Sequence, residues 1–218
     1  MSRTLPQPAD WLPDDHPLRR LPPTPISYED FLAWCDEDTY AEWVDGEIVF
    51  MSPVSSDHQR IVQFLVWLFQ AVIELTEAGV VRSGPFQMKL PEHVRSGREP
   101  DILFIARDHL DRLLPTYLDG PADLVVEVMS PESFSRDRGD KFLEYEAGGV
   151  PEYWLIDPIR RWVDVYRLSA EGRYVPAFSG RDGVLASDLL PGLRLHLEWL
   201  WQDPPPKQVE VRRILGLP

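Results

Sequence analysis

Cysteine is almost missing from this chain: Cys35 stands alone, so no internal disulfide forms, and no CxxC spacing marks a structural zinc site. The five histidines fall into no HxH or HExxH pattern, which argues against a zinc hydrolase. No GxxxxGK[ST] or GxGxxG loop is present, and Ser130 in VMSPES lacks the GxSxG setting of a hydrolase nucleophile, so nucleotide-driven and serine-ester chemistry are both disfavoured. Long apolar runs are lacking as well. The most apolar stretch, Ile61 to Ile73, is broken by Gln63 and Gln70 and is shorter than the roughly 20 residues of a membrane span. The opening MSRTLPQPADWLPDDHPLRR has no apolar core of the kind a secretory signal needs. The expected location is cytoplasmic, with no membrane partner.

Basic residues are also in short supply, 22 Lys and Arg against 36 Asp and Glu for a net charge of −14, and the field of such a molecule repels polyanions. Local groups offset it: Arg19 and Arg20, then Arg136, Arg138 and Lys141, then Arg160 and Arg161. The competing reading of each is an ordinary solvated face.

What is present suits one folded unit, because 218 residues with 44% hydrophobic character can bury a sizeable core. Residues 1–24 are rich in proline and read as an irregular arm, 25–201 as the domain and 202–218 as a tail. Ser27 followed by acids predicts an N-cap and a short helix toward Cys35. Glu42 to Met51 reads as a hairpin turning at Asp45-Gly46. From Ser56 or Asp57, a helix from His58 to about Glu77 carries one stripe of Ile61, Leu65, Leu68, Val72 and Leu75, and a second of Phe64, Trp67 and Ala71. Two apolar stripes need two covers, the sheet and then other helices or a second subunit, and a homodimer is expected.

Strands are predicted over Val80–Arg82, Phe86–Leu90 and Pro100–Ala106, with Pro91 to Gly97 a loop and Asp108 to Leu118 a helical insert. LVVEVM, Leu124 to Met129, is nearly all apolar and marks a central strand covered on both faces. Asp137 to Ala147 is expected to be helical and to stop at Gly148-Gly149. Strands at Tyr153–Ile156, Trp162–Leu168 and Tyr174–Phe178 and a last element within Asp188–Trp201 complete a mixed α/β sheet flanked by helices. Tyr153 and Trp154 could serve base stacking, but neighbours on a strand face opposite ways, so at least one belongs to the core.

The chemistry is expected where acids enter apolar strands. Strand alternation puts Asp101 on one face with Leu103 and Ile105, and Glu127 with Val125 and Met129. A carboxylate inside a buried strand needs a cation, a donor set or a metal. Two of them on neighbouring strands form an oxygen pair suited to Mg²⁺. Asp101 as a turn cap and Glu127 as half of a core ion pair with an arginine are the alternatives.

EWVDGEIVFMSPVSSDHQRIV, REPDILFIA, DLVVEVMSPES, DRGDKFLEYEAGGVPEYWLIDP and DLLPGLRLHL, in that order, resemble a bacterial restriction endonuclease family, long catalogued as a domain of unknown function, within the PD-(D/E)xK restriction endonuclease-like superfamily. The resemblance covers about residues 26–200. It implies a restriction endonuclease-like core in which Pro100-Asp101 and Glu127-Val128 match the motif, with Asp101, Glu127 and the Val128 carbonyl as metal ligands. At position 129, where the motif has lysine, this chain has methionine. In some branches of the superfamily the lysine moves to the following helix, and Lys141 matches that placement. Its alternative is a solvated pairing with Asp137 or Tyr145. Glu47 and His58 are implied as auxiliary ligands or water-positioning groups, against plain capping and surface pairing.

The function expected is Mg²⁺-dependent hydrolysis of DNA phosphodiester bonds, with Mn²⁺ as a substitute. Two others stay open: a nuclease-like binding or assembly module, which Met129 and the acidic charge favour, and a metal hydrolase of another phosphorylated substrate.

Overall fold

In the computed structural model, residues 21–36, 39–130 and 137–217 are described. Arg19, Arg20, Arg136 and most of the N-terminal arm lie outside them. The chain forms two compact units, divided between Met51 and Ser52.

In the first unit, the Ser27 hydroxyl accepts the Asp30 N–H at 3.0 Å and starts α1, Tyr28–Trp34, as its capping residue predicts. β1 (Ala41–Val44) and β2 (Glu47–Phe50) form the expected hairpin. Asp45 and Gly46 both have positive φ, the backbone of a tight primed turn.

The second unit is built on a six-stranded sheet. Its strands are β3 (Gly79–Ser83), β6 (Ile102–Ala106), β8 (Leu124–Val128), β9 (Glu152–Asp157), β10 (Trp162–Leu168) and β11 (Tyr174–Gly180). They lie in the order β11-β10-β9-β8-β6-β3. Only β8 and β9 run parallel, and the connection between them carries α3, Asp140–Gly148, the crossover that a parallel pair requires. Gly79 begins β3 because a Cβ there would collide with the Ile105 carbonyl.

Period-two alternation splits the sheet residues into two cores. Ile102, Phe104, Val126, Val128, Trp154 and Ile156 point to the side covered by α2, Ser56–Thr76. Leu103, Ile105, Val125, Met129, Tyr153 and Leu155 point to the other, where Tyr145 of α3 packs. Tyr153 and Trp154 are therefore both core residues, on opposite faces. The smaller strands β5 (Ser96–Arg98), β4 (Gln87–Lys89) and β7 (Tyr117–Asp119) lie in that order in the same unit.

Several expectations need correcting. The α2 cap is Ser55, one residue earlier than expected, and its side chain accepts the His58 N–H at 3.2 Å. Leu75 is 49% exposed rather than part of the buried stripe. Part of the supposed loop Pro91–Gly97 is strand β5, and the supposed helical insert is a 3-10 helix (Arg107–Arg112) followed by β7. The tail holds a helix, α4 (Gln208–Leu215), whose Val211 is fully buried. Of the second apolar stripe of α2, Phe64 and Ala71 are buried within the chain, Phe64 meeting Trp199 edge-on at 6.2 Å between ring centroids, and Trp67 is half-buried. Among the described residues no helix is long and apolar enough to cross a membrane.

Candidate active site

The site forms where β6 and β8 part. Their ladder ends at Ile102↔Val126, and Pro100, two residues before Ile102, has no N–H with which to extend it. Continuing the register sets position 101 across from position 127. Beyond the last rung, the Val128 N–H would be left unpaired, and Asp101 Oδ2 accepts it at 2.7 Å. The other oxygen, Oδ1, lies 3.1 Å from His58 Nε2 in the first turn of α2. Asp101 is thus the cap of a strand end and also an ion-pair partner, and it keeps 16% of its side chain exposed.

Glu127 faces the opposite layer from α2. Lys141 Nζ donates to Glu127 Oε1 at 2.8 Å and the Tyr145 hydroxyl donates to the same oxygen at 2.7 Å. Lys141 and Tyr145 are one helical turn apart, so they reach the carboxylate together. Asp137, one turn before Lys141, has Oδ1 at 3.9 Å from Nζ. Both side chains of that pair are 2% exposed, so the pairing anticipated for a solvated face exists but is buried. The Tyr153 hydroxyl donates to the Asp137 carbonyl at 3.0 Å, fixing the chain just ahead of α3.

The charges do not balance. Burial is the largest influence on Glu127; Lys141 opposes it, Asp101 and Asp137 add to it, and the pKa is pushed from 4.5 up to about 8. For His58, burial lowers the pKa, but hydrogen bonding to Asp101 and to the Val128 backbone, with the charges of Asp101 and Asp137, more than reverses this and raises it above 6.5. Three carboxylates converge on two cationic groups.

The structure thus brings Asp101, Glu127, Val128, Lys141 and His58 to one end of the sheet. Glu47 is an exposed side chain on β2 of the first unit, and Met129 is a core residue. From sequence, Tyr145 and Asp137 are only surface partners of Lys141; the spacing Asp137, Lys141, Tyr145 at intervals of four is the signal that joins them. Among the described residues no group of three or more His, Cys, Asp or Glu side chains is arranged to hold a metal ion.

On the far side of α3, Glu144 accepts from Arg98 Nε at 2.7 Å and Nη2 at 2.6 Å, and from Ser96 Oγ at 2.7 Å. This fork ties the helix that carries Lys141 and Tyr145 to β5.

Comparison with known proteins agrees with this architecture. The uncharacterized protein slr1290 of Synechocystis is 28% identical over 153 residues, covering 69% of this chain and 78% of its own length. A crystal structure from Anabaena variabilis, described as "a putative nuclease belonging to DUF820", superposes with a TM-score of 0.69 at 19% identity, covering 81% of this chain and 98% of the other, which establishes a shared fold. The model of the Uma2 family, described as "Putative restriction endonuclease", matches residues 28–198, and the chain belongs to that family.

Proposed function

We propose that this protein is a metal-dependent endonuclease that hydrolyses DNA phosphodiester bonds with Asp101, Glu127 and Lys141. The observation that carries the reading is the buried contact between Lys141 and Glu127 beside the carboxylate of Asp101. It supplies from α3 the cation that position 129 lacks.

The residues present suit a divalent cation of the Mg²⁺ class. Asp101, Glu127 and the Val128 carbonyl are hard oxygen donors. Two of those three are carboxylates and one is backbone, so they fall short of three metal-binding side chains. Burial does most to raise Glu127, and a cation would offset both that burial and the added charge of Asp101 and Asp137; the Lys141 and Tyr145 donors both use Oε1, which leaves Oε2 for a further partner. A bound Mg²⁺ supplies stabilisation of the charge that develops on the phosphate.

Each protein group then has a defined task. Lys141 orients the attacking water and offsets charge on the phosphate. Tyr145 fixes the rotamer of Glu127. His58 fixes Asp101 from the α2 side.

Cleavage of supercoiled plasmid with Mg²⁺, Mn²⁺ or EDTA tests this. Nicking should require the metal and fall on the order of a hundredfold or more in Asp101→Asn, Glu127→Gln and Lys141→Met, with circular dichroism confirming that each folds. Folded wild type that neither nicks DNA nor binds metal would defeat the nuclease reading and favour a binding or assembly module, which the buried Met129 and the net charge of −14 also suit.

A further inference from the structure

β8 and β9 run parallel with Val128 opposite Ile156, so both end at the same edge of the sheet. β9 continues to Asp157 and returns into β10 through residues 158–161. At about 3.3 Å per residue along a strand and about 4.8 Å between strands, the crown of that turn stands roughly 10 Å beyond the row holding Glu127.

The turn is exposed and basic. Ile159 is 73% exposed and the Arg160 side chain 66% exposed. Arg161 is exposed and has φ +52°, a left-handed conformation in which glycine or asparagine sits with less strain. Asp157, whose side chain is 6% exposed, accepts the Arg160 N–H at 2.8 Å and lies 3.7 Å from its Nε, so the turn projects from a fixed base.

More arginines share the edge. Asp164 lies opposite Leu155, which lies opposite Glu127. From that row Asp164 holds Arg138 at 2.6 Å. Arg181, 72% exposed and 3.9 Å from the exposed Asp182, follows Gly180, the partner of Val163. In a molecule of net charge −14, a polyanion is best received where cations gather.

We infer that the β9–β10 turn grips the sugar-phosphate backbone of DNA beside the scissile bond, with Arg160 and Arg161 on phosphates about three nucleotides away. The contact reads no bases. The link to a scissile bond rests on the nuclease reading; the contact with DNA does not.

The test measures anisotropy of a labelled duplex in Ca²⁺ over a range of salt, alongside cleavage in Mg²⁺. In the double variant R160A/R161A, binding should weaken alike for every duplex sequence, and the slope of log K against log salt should flatten by about 2. R161G should flatten it by about 1 while raising the melting temperature by about 2–4 °C, because the strained backbone is relieved. KM should rise with kcat retained. R107A, in an exposed pair with Glu77 at the opposite edge, should leave the slope unchanged.

Wild type that cleaves while the turn variants keep its slope and KM would overturn this inference and leave the nuclease standing. Arginine-dependent binding without cleavage would uphold it and remove the nuclease. Variants that change the oligomeric state in sedimentation but not the binding would reassign the turn to a contact between copies, and wild type that neither binds nor cleaves would overturn both.

Discussion

Glu127 shows how one buried acid links stability to chemistry. It is 3% exposed on a strand otherwise apolar. Because its pKa in the folded protein is raised from 4.5 to about 8, the folded form keeps a proton that the unfolded form has released between those values. Folding stability from this group is therefore fully present below about pH 4.5 and is lost as pH rises toward 8. His58, also raised, acts in the same direction above 6.5. In EDTA, the melting temperature of wild type should fall between about pH 5 and pH 8, and Glu127→Gln should remove most of that slope. An equally steep slope in Glu127→Gln would place the linked proton elsewhere. At this scale the two acids of the site were legible in the sequence, because a charge inside LVVEVM or PDILFIA has no apolar excuse. Tyr145 was not, since its role depends on α3 lying over β8.

At the scale of elements, α3 matters most to the proposed site, because it carries the lysine that we propose stands in for the one β8 lacks, and its placement over β8 sets the contact of Lys141 with Glu127. The helix is pinned by the fork between Arg98, 2% exposed, and Glu144. Glu144→Ala should cost about 2–4 kcal/mol in urea unfolding, somewhat below a fully buried pair because Glu144 is 18% exposed. Exchange of the α3 amides should accelerate more than that of β8. Uniform acceleration would mean that the fork serves the whole unit rather than the helix. Legibility of the elements followed burial pattern and local punctuation. α2 and β8 were evident because their apolar residues repeat with one period or fill the strand. β5, reading Ser96-Gly97-Arg98, has no apolar residue and so no periodic signal. α4 does carry one, with Val211, Ile214 and Leu215 at helical spacing, but it is short and follows Pro204-Pro205-Pro206, which reads as the release of a tail.

The whole molecule carries a net charge of −14, so any cation stabilises it somewhat by screening, and a site must be told apart from that background. Screening depends on ionic strength and involves no single residue. A site saturates and depends on its ligands, and it stabilises by RT ln(1 + [L]/Kd), about 2.7 kcal/mol at a hundredfold excess over Kd. For a chain of this size that amounts to a rise of roughly 5–10 °C in melting temperature. With ionic strength held fixed by NaCl, Mg²⁺ should raise the melting temperature of wild type along a saturating curve. Asp101→Asn and Glu127→Gln should lose the saturating part and keep any weak linear remainder. Were both variants to respond as wild type does, the cation would be acting on the acidic surface as a whole, and Asp101, Glu127 and Lys141 would form a buried polar network that holds the sheet end together without metal.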